Sequence, residues 1–480
     1  MKKLVICLLF LCLCYSFASA GLLDKDKFEF NGYVKTETSF RIDGSANTTL
    51  DKFKNFIDLA GQYKISGDEL VFFLHARYWY DFAYGLNDKL DPAQYYMQHV
   101  QRTDWLRDCY LDFIKDRWFL RLGKQQVVWG QADGIAILDR VNPFDLTEYW
   151  LPDAPDIRIP LWMANINYSP KLNSNIQLLI IPDFEQSTAA PPPAPFAFRS
   201  YKLYEDFKKF WIGPPKPGHP FTGALNQNIY YPDDPIKIGF QWKDKISGWD
   251  YTLNYLYGYD YLARTYLDST VVQILPRQPP KITRNYGRRF KIDQLVGGSL
   301  NHTFTREGPL KGVTLRADAA VYINEPTYYG NAATGESAGV NRWNNIFWLM
   351  GLDRFFFTKY LASFQFAQYI MEHDDGGVFN PSTKRPYDTL NTYTNGAQDK
   401  LENIFSLKIS SHYMNDKLLP EVLWSFTDDN QGRISPKINY EVNDNLWLTL
   451  GYHYFYGDPR DSNGEFRNEN QLYLNVKYTF

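Results

Sequence analysis

The last ten residues of the chain alternate strictly between apolar and polar side chains. In QLYLNVKYTF, Leu472, Leu474, Val476, Tyr478 and Phe480 fall on one side of an extended strand. Successive side chains of a β-strand point to opposite faces, so one face of this segment is wholly apolar and the other mostly polar. A transmembrane β-strand needs about ten residues, whereas strands of soluble proteins average about five or six. The segment therefore predicts a membrane-spanning strand.

The aromatic terminus has a second meaning. The apolar face ends in Val476, Tyr478 and Phe480, which resembles the terminal signal by which outer-membrane proteins are recognised for barrel assembly. We therefore expect the barrel-assembly machinery and the outer-membrane lipid to be partners of this chain. An edge strand of a soluble sheet that happened to end in Phe is the alternative.

The same alternation recurs along the chain. Apolar positions share one face in six further segments, at 28–42, 72–82, 249–257, 313–323, 401–413 and 446–456. A barrel strand shows lipid only every second residue, so a barrel can be rich in aromatic residues without being hydrophobic on average. This explains why 17% of the residues are aromatic although the mean hydropathy is −0.42. A large secreted β-protein would share that composition, but most of its strands would be shorter.

Short and long connections alternate between these segments. The short ones lie near residues 67, 115, 170, 244, 308, 358, 415 and 444, and the long ones at 43–52, 83–105, 127–160, 183–236, 260–283, 324–342, 372–400, 427–432 and 457–467. Outer-membrane barrels join their strands by short periplasmic turns and long extracellular loops. The predicted fold class is therefore all-β, a transmembrane antiparallel up-and-down β-barrel with about 18 strands and long extracellular loops. Sixteen strands are the alternative, because residues 346–352 are apolar on both faces and Pro436 interrupts another segment.

The first twenty residues predict export. Two lysines precede an apolar run over residues 4–13, and small residues follow at 18–20. This is the pattern of a signal peptide, and the run is too short for a membrane-spanning helix. A retained anchor helix is the alternative. We expect a signal peptide at 1–20 and one outer-membrane β-barrel at 21–480, located in the outer membrane of a Gram-negative bacterium.

Charge and cysteine content exclude several classes of function. The formal net charge is −3 and no basic patch is evident, so we expect no nucleic-acid partner. Outside the predicted signal peptide the chain has a single cysteine, Cys109. It has no partner for an intramolecular disulfide and gives no cysteine-based metal or haem site.

The long connection 127–160 is the most distinctive segment. Its apolar residues are interspersed with Asp133, Asp139, Arg140 and Asp145. A loop this apolar is poorly solvated by water, and we expect it to fold inward into the barrel mouth. It is interpreted structurally as a plug and functionally as a constriction whose charges select solutes, and these interpretations are compatible. By contrast, the Pro-rich segment 183–236 predicts a long extracellular loop of extended character.

The alternation places a further set of charged side chains on the polar faces of the strands, and we expect these faces to point into the lumen. The side chains are Arg77, Arg121, Arg289, Lys291, Arg316, Asp318, Lys408 and Lys437. With the four loop residues they form the predicted pore-lining or constriction set, and we expect the loop charges to lie near Arg77, Arg121, Arg289 or Lys291. Any porin-like barrel has a polar interior, so the same pattern can arise without solute specificity.

The sequence around the predicted constriction resembles a known family. GKQQVVWGQADGIAILDRVNPFD at 123–145, followed by DIRIPLWMANINY at 156–168, resembles a widespread domain-of-unknown-function family of bacterial outer-membrane β-barrels. That family is distantly similar to alginate-export and porin-type barrels. The resemblance implies a large barrel concerned with the passage of some molecule across the outer membrane. It implies no established substrate and no catalytic residues.

Motifs that suggest catalysis or metal binding fail on inspection. GESAG at 335–339 matches the G-x-S-x-G nucleophile pattern but lies in a polar segment without the required strand-to-helix turn. DSNGE at 461–465 has Pro459 at the first ligand position of a calcium loop. The cluster Glu372, Asp374 and Asp375 is more simply interpreted as solvated charge than as a loose divalent-cation site. We predict no enzymatic activity, no cofactor and no metal.

These observations favour a porin-like channel that passes small polar or amphipathic solutes, with the transported solute unknown. The alternative is a barrel that sheathes a partner complex, such as a periplasmic electron carrier or an export pump. That function would need a wide lumen, and the chain has no C-x-x-C-H motif with which to carry haem itself.

Overall fold

The structure, a computed structural model, describes residues 27–42, 48–87, 105–190, 195–196, 228–273, 281–330, 337–372, 401–457 and 463–480. The predicted signal peptide and much of the predicted loops 183–236 and 372–400 lie outside the described residues. So do Asp374, Asp375 and Pro459.

Strands dominate the described part of the chain. They are β1 (Phe28–Ile42), β2 (Thr48–Ser66), β3 (Leu70–Asp81), β4 (Leu106–Lys115), β5 (Trp118–Gln125), β6 (Asp145–Leu146), β7 (Leu161–Lys171), β8 (Ser174–Ile181), β9 (Thr188–Ala189), β10 (Asn228–Tyr230), β11 (Lys237–Ile246), β12 (Trp249–Tyr259), β13 (Arg264–Gln273), β14 (Lys281–Arg289), β15 (Ile292–Thr303), β16 (Val313–Gly330), β17 (Ser337–Phe356), β18 (Tyr360–Ile370), β19 (Leu401–Ser410), β20 (Leu418–Thr427), β21 (Gly432–Asn443), β22 (Leu446–Tyr456) and β23 (Gln471–Thr479). Short helices occupy Ala83–Leu86 and Ala154–Ile157, and a 3-10 turn occupies Gly464–Phe466. No helix among these described residues is long and apolar enough to cross a membrane.

Eighteen of the strands form one closed antiparallel sheet. Each barrel strand pairs with the next barrel strand along the chain, and β1 pairs with β23 from Tyr33 opposite Thr479 to Arg41 opposite Gln471. At the end of this seam the backbone N–H of Gly32 donates to the carbonyl of Phe480 at 3.0 Å, and the N–H of Phe480 donates back at 2.9 Å. The predicted barrel of about 18 strands is confirmed, and the alternative of 16 is wrong.

The turns follow the predicted rhythm. The short connections lie at or within three residues of the predicted positions, and the largest offset is at Ser247–Gly248, where residue 244 was expected. Asp116, Asn415 and Asp416 have φ values of 51°, 54° and 66°. Asn and Asp tolerate this left-handed region, which tight hairpin turns require. The turn residues and the strand alternation thus indicate the same positions for the short connections.

The region between β12 and β15 differs from the sequence prediction. Instead of a loop at 260–283 followed directly by a barrel strand, it contains β13 and β14. These pair with each other and, through β14, with β10 in a separate three-stranded sheet. The next barrel strand begins only at Ile292. The alternation near residue 284 therefore belongs to this separate sheet and not to the barrel wall.

The two faces of the wall differ in environment. On β23 the apolar face from Leu472 to Phe480 is 36–51% exposed, as expected for side chains that face lipid. On β18 the inward-facing side chains are buried: Ser363, Gln365 and Ala367 are at most 3% exposed. The inner face is therefore covered by protein even though the barrel is wide.

The segment apolar on both faces has a structural cause. In β17, Ile346, Met350 and Leu352 are exposed on the outside, whereas Leu349 is 1% exposed on the inside. Leu349 belongs to an apolar cluster built from both wall strands and residues 127–141. The strand is apolar on both sides because its inner face contacts this segment and not water.

The faces of β23 predict unequal responses to charge. Leu474→Arg places a cation among outward-facing apolar side chains and should cost roughly 2–4 kcal/mol near the bilayer midplane. Asn475 lies on the inner face, opposite Thr449 and Glu37, so Asn475→Arg should cost far less. Urea titration of both variants folded into lipid vesicles measures the difference, and equal losses of stability would contradict the assigned faces.

Candidate functional site in the barrel lumen

Residues 127–160, here called the lumen loop, lie inside the barrel. The loop contacts inward-facing side chains on strands far apart around the circumference. These contacts involve Arg77 on β3, Gln177 on β8, Tyr322 on β16, Lys408 on β19 and Arg433 on β21. In a closed sheet, one segment can reach all of these strands only from the inside.

The first part of the loop is an apolar anchor. Trp129, Ile137 and Leu138 are at most 2% exposed and pack in one cluster with wall residues of β7, β8, β12 and β15 to β18. Burying apolar surface contributes about 25 cal/mol per Å², so this packing supplies a strong reason for the loop to stay inside.

Glycines in the wall make room for the anchor. A Cβ at Gly297 would lie 2.6 Å from the Leu138 side chain, and one at Gly239 would lie 2.9 Å from the Trp129 ring. A larger residue at either position would push the loop inward. The wall is thus shaped to receive these two side chains.

A buried carboxylate holds the backbone of the loop. Asp318 on β16 accepts hydrogen bonds from the backbone N–H groups of Gln131 and Ala132 at 2.8–2.9 Å. The preceding residue, Gly130, has a φ of +98°, and a Cβ there would lie 2.8 Å from the Asp318 carboxylate. Arg316 on the same strand donates to the carbonyl of Gln131 at 2.9 Å. Two predicted lumen residues therefore fix the entry of the loop.

The loop charges find partners other than those expected. Asp133 forms an ion pair with Lys408, and Asp139 pairs with Arg158 of the loop itself, with its carboxylate 2.7 Å from Nε. Burial raises the pKa of Asp139, and the hydrogen bond from Arg158 opposes that rise. For Asp133 and Asp139 the partners therefore differ from the expected ones, because wall register does not determine where a loop backbone crosses.

The other two loop residues of the predicted set lie further along the loop. Arg140 lies over the Tyr322 ring, 4.9 Å from its centroid, and 4.0 Å from Glu325. Asp145 accepts a hydrogen bond from the Thr188 hydroxyl at 3.0 Å. Both side chains contribute to fixing the loop in place.

The remaining predicted wall residues divide into two groups. Arg121 pairs with Asp112 at 2.7 Å and Lys437 with Glu421 at 3.1 Å, both on the barrel wall. Arg289 ends β14 in the separate sheet, where its guanidinium lies 4.8 Å from the Tyr230 ring centroid, and Lys291 directly precedes β15. These last two are not on inward-facing positions of barrel strands, because β14 is not a barrel strand and Lys291 lies in the connection between β14 and β15.

A charged site that the sequence prediction missed lies between the second part of the loop and strands β1–β3. Glu148 pairs with Lys52 and, at 2.8 Å, with Lys54. Asp156 pairs with Arg77 at 2.7 Å and lies 3.8 Å from Lys35. The polar phase of β1 and β2 marks the lysines as inward-facing, but nothing in the sequence links them to Glu148.

These pairs control the protonation of the loop carboxylates. Burial alone would raise the pKa of Glu148, but the charges of Lys52 and Lys54 hold it well below its usual range. Burial likewise opposes ionisation of Asp156, and Arg77 and Lys35 more than offset it, so its pKa is lowered. Both groups are therefore anionic at neutral pH.

A cavity of about 90 Å³ remains beside these ion pairs. It is lined by side chains of β1–β4 and of the loop, among them Lys54, Phe56, Trp79, Arg107 and Glu148. Within the described residues, no group of three or more His, Cys, Asp or Glu side chains is placed to hold a metal ion. The site offers ionic and aromatic contacts to a small molecule.

The residues of the predicted assembly signal lie on the seam of the barrel. Val476 and Tyr478 face outward from β23, and Phe480 lies against Phe30 with ring centroids 6.5 Å apart. Their role in assembly stays a prediction.

Comparisons with known proteins agree with this architecture. A family model described as "Protein of unknown function (DUF1302)" matches residues 31–480. No curated protein matches the sequence.

Solved outer-membrane porin barrels have a similar fold. OpdK of Pseudomonas aeruginosa, in a crystal structure with vanillate, superposes with a TM-score of 0.50 at 10% identity, covering 95% of this chain and 99% of that chain. OccAB4 of Acinetobacter baumannii gives 0.49 at 11% identity, covering 95% and 98%. At such identities the likeness concerns the fold alone.

The lowered pKa values predict how pH affects the second part of the loop. Its ion pairs stabilise the bound arrangement fully above the ordinary carboxyl pKa, about 4, and this stabilisation is lost as pH falls through the lowered values. Hydrogen exchange at residues 145–157, corrected for intrinsic rates, should show constant protection from pH 7 to about pH 4 and a loss below it. The amides of the barrel strands, which are protected by backbone pairing within the sheet, should stay protected and are the internal control. Loss of protection at 145–157 already near neutral pH would contradict the assigned ion pairs.

Proposed function

The chain belongs to the DUF1302 family of proteins of unknown function, and from its own geometry we propose that it is a porin-like channel of the bacterial outer membrane. It passes small polar or amphipathic solutes. The observation that carries the proposal is a wide closed barrel whose lumen is narrowed by a loop bound through specific contacts, beside which a cavity lined with charges of both signs remains.

The width of the barrel supports a channel. Barrels of 16–18 strands enclose an aqueous lumen unless something fills it. Here the apolar anchor fills one side, whereas Lys54, Arg77, Glu148 and Asp156 border a cavity on the other. A passage lined with both signs of charge admits polar solutes and discriminates among them by charge and size.

The outer surface supports the location. Outward apolar residues recur on strand after strand, including Leu253 on β12, Phe364 on β18 and Leu450 on β22, each more than 40% exposed. An aqueous compartment would not favour such a belt, and lipid would. An even number of strands places the start of the first strand and the end of the last strand on the same side of the membrane, which in bacterial barrels is the periplasmic side.

A sheath around a partner complex is less well supported. A sheath would need a wide lumen, and the lumen loop would have to leave its contacts with Asp318 and the apolar cluster. An enzyme is also less well supported. In the GESAG motif, Ser337 begins strand β17, and a nucleophile of this type requires a turn from a strand into a helix.

Excision of the lumen loop tests the channel directly. Replacing residues 130–155 by a short Gly/Ser bridge should raise single-channel conductance in planar bilayers severalfold and weaken ion preference, because the narrowing segment is gone. A deletion of equal length within the predicted extracellular loop 372–400 is the matched control and should leave conductance near that of the wild type. Unchanged conductance of an intact, heat-modifiable barrel without residues 130–155 would contradict the proposal that this loop sets the passage.

A further inference from the structure

The inward face of β1–β3 carries one cation at each of four successive levels. Along β2 these levels are marked by Lys52, Lys54, Phe56 and Asp58; Lys35 of β1 lies opposite Phe56, and Arg77 of β3 lies opposite Asp58. Successive levels are two residues apart, or roughly 7 Å along the strand. Lys52, Lys54, Lys35 and Arg77, here called the cation row, therefore extend along the direction of β2 over roughly 20 Å.

The lumen loop places one carboxylate on each half of this row. Glu148 bridges the first two cations and Asp156 the last two, with three contacts of 2.8, 2.7 and 3.8 Å besides the Glu148–Lys52 pair. The cations are 12–19% exposed in these pairs. All four are thus shielded from solvent, and Lys35, Lys54 and Arg77 still border the cavity.

A free carboxylate would make the same contacts. Resting on the proposed channel function, we propose that the cation row is a binding track for carboxylate-bearing solutes. Glu148 and Asp156, here called the stand-ins, occupy these cations when no solute is bound. A carboxylate that enters the passage displaces one stand-in from its pair of cations. The loop carboxylates thereby set how strongly an anion must bind in order to pass.

The surroundings of the row favour a solute with an aromatic or apolar body. The ammonium group of Lys54 lies 4.0 Å from the Trp79 ring centroid, and that of Lys35 lies 4.6 Å from the Phe56 ring centroid. Both rings line the cavity. A flat apolar group attached to a carboxylate can pack on these rings while the carboxylate reaches the cations.

The ion pairs set two wall carboxylates, Glu37 and Asp58, against the four cations of the row. Glu37 is held by Lys35 and Lys52 at 2.8 and 3.2 Å, and Asp58 by Arg77 at 2.6 Å and by His75. These groups are fixed on barrel strands by wall partners. Glu148 and Asp156 differ because they belong to a segment that does not form part of the wall.

Arg107 is a further cation beside the row, and one of its hydrogen-bond donors has no acceptor within the described part of the chain. Its guanidinium donates to the carbonyls of Pro155 and Arg158 at 2.9 and 2.8 Å, and its Nε is buried without an acceptor among the described residues. It lines the same cavity. An entering carboxylate would find a further donor there.

Block of ionic current by benzoate tests the proposal. The wild type, Glu148→Gln and Asp156→Asn are compared in planar bilayers under a KCl gradient with increasing sodium benzoate. In both variants the half-blocking concentration should fall severalfold and the reversal potential should shift towards anions, because one stand-in no longer competes. Asp153→Asn is the matched control, since Asp153 is an exposed carboxylate of the same loop, and it should behave as the wild type.

The outcomes separate the inference from the proposed function. A folded, heat-modifiable wild type that conducts no ions would overturn the channel itself. Conducting channels in which Glu148→Gln and Asp156→Asn match Asp153→Asn would overturn the stand-in role and leave the channel intact. Lys54→Gln gives an independent arm: it should weaken benzoate block severalfold, and unchanged block would overturn the binding track. Acetate should block more weakly than benzoate, and equal block would overturn the aromatic preference.

Discussion

The fold depends on backbone hydrogen bonding in a medium without water. Lipid hydrocarbon offers no partner to a backbone N–H or C=O, so a β-sheet is stable there only when it has no free edge. The pairing of β1 with β23, continued by the two bonds between Gly32 and Phe480, removes that edge. Closure over eighteen strands then fixes a wide circumference. A barrel of this width has a large lumen, which stays open to water unless a segment of the chain fills it.

The lumen loop occupies this lumen with two parts, one apolar and one charged. Its first part, residues 127–141, packs as an apolar cluster against β7, β8, β12 and β15 to β18. Its second part faces β1–β3 through ion pairs and leaves the cavity beside them. One side of the lumen is therefore packed with apolar side chains and the other is lined with charge. The proposed solute path therefore runs along the charged side, where the cation row lies.

Local rules explain how much of this could be predicted from the sequence. Strand alternation and turn residues are local properties, so they predicted the fold, the number of strands and the inward phase of Arg77, Arg316, Asp318 and Lys408. The same rules failed at Arg289, because alternation does not reveal which sheet a strand joins. Around Leu349 the pattern, apolar on both faces, suggested a weak barrel strand. The inner face is apolar because it contacts the loop anchor.

The charged site required information that is not local. Lys52 and Lys54 occupy ordinary inward positions, and their partner Glu148 is separated from them in the sequence by four strands, β3 to β6. Pairing of this kind depends on where the loop backbone crosses the lumen, which is determined by contacts such as Asp318 with the N–H groups of Gln131 and Ala132. The sequence alone therefore predicted a charged constriction but not its ion pairs.

Zero-length carbodiimide cross-linking of the native protein in vesicles, read by mass spectrometry, tests the central claim most directly. This reagent joins a carboxylate and an amine that are already in contact. The structure predicts links from Asp133 to Lys408 and from Glu148 to Lys54, which together tie one loop to walls at β19 and β2. The wall pair Glu421–Lys437 at 3.1 Å is the internal control. Recovery of the control link without either loop link would contradict a loop bound inside the barrel.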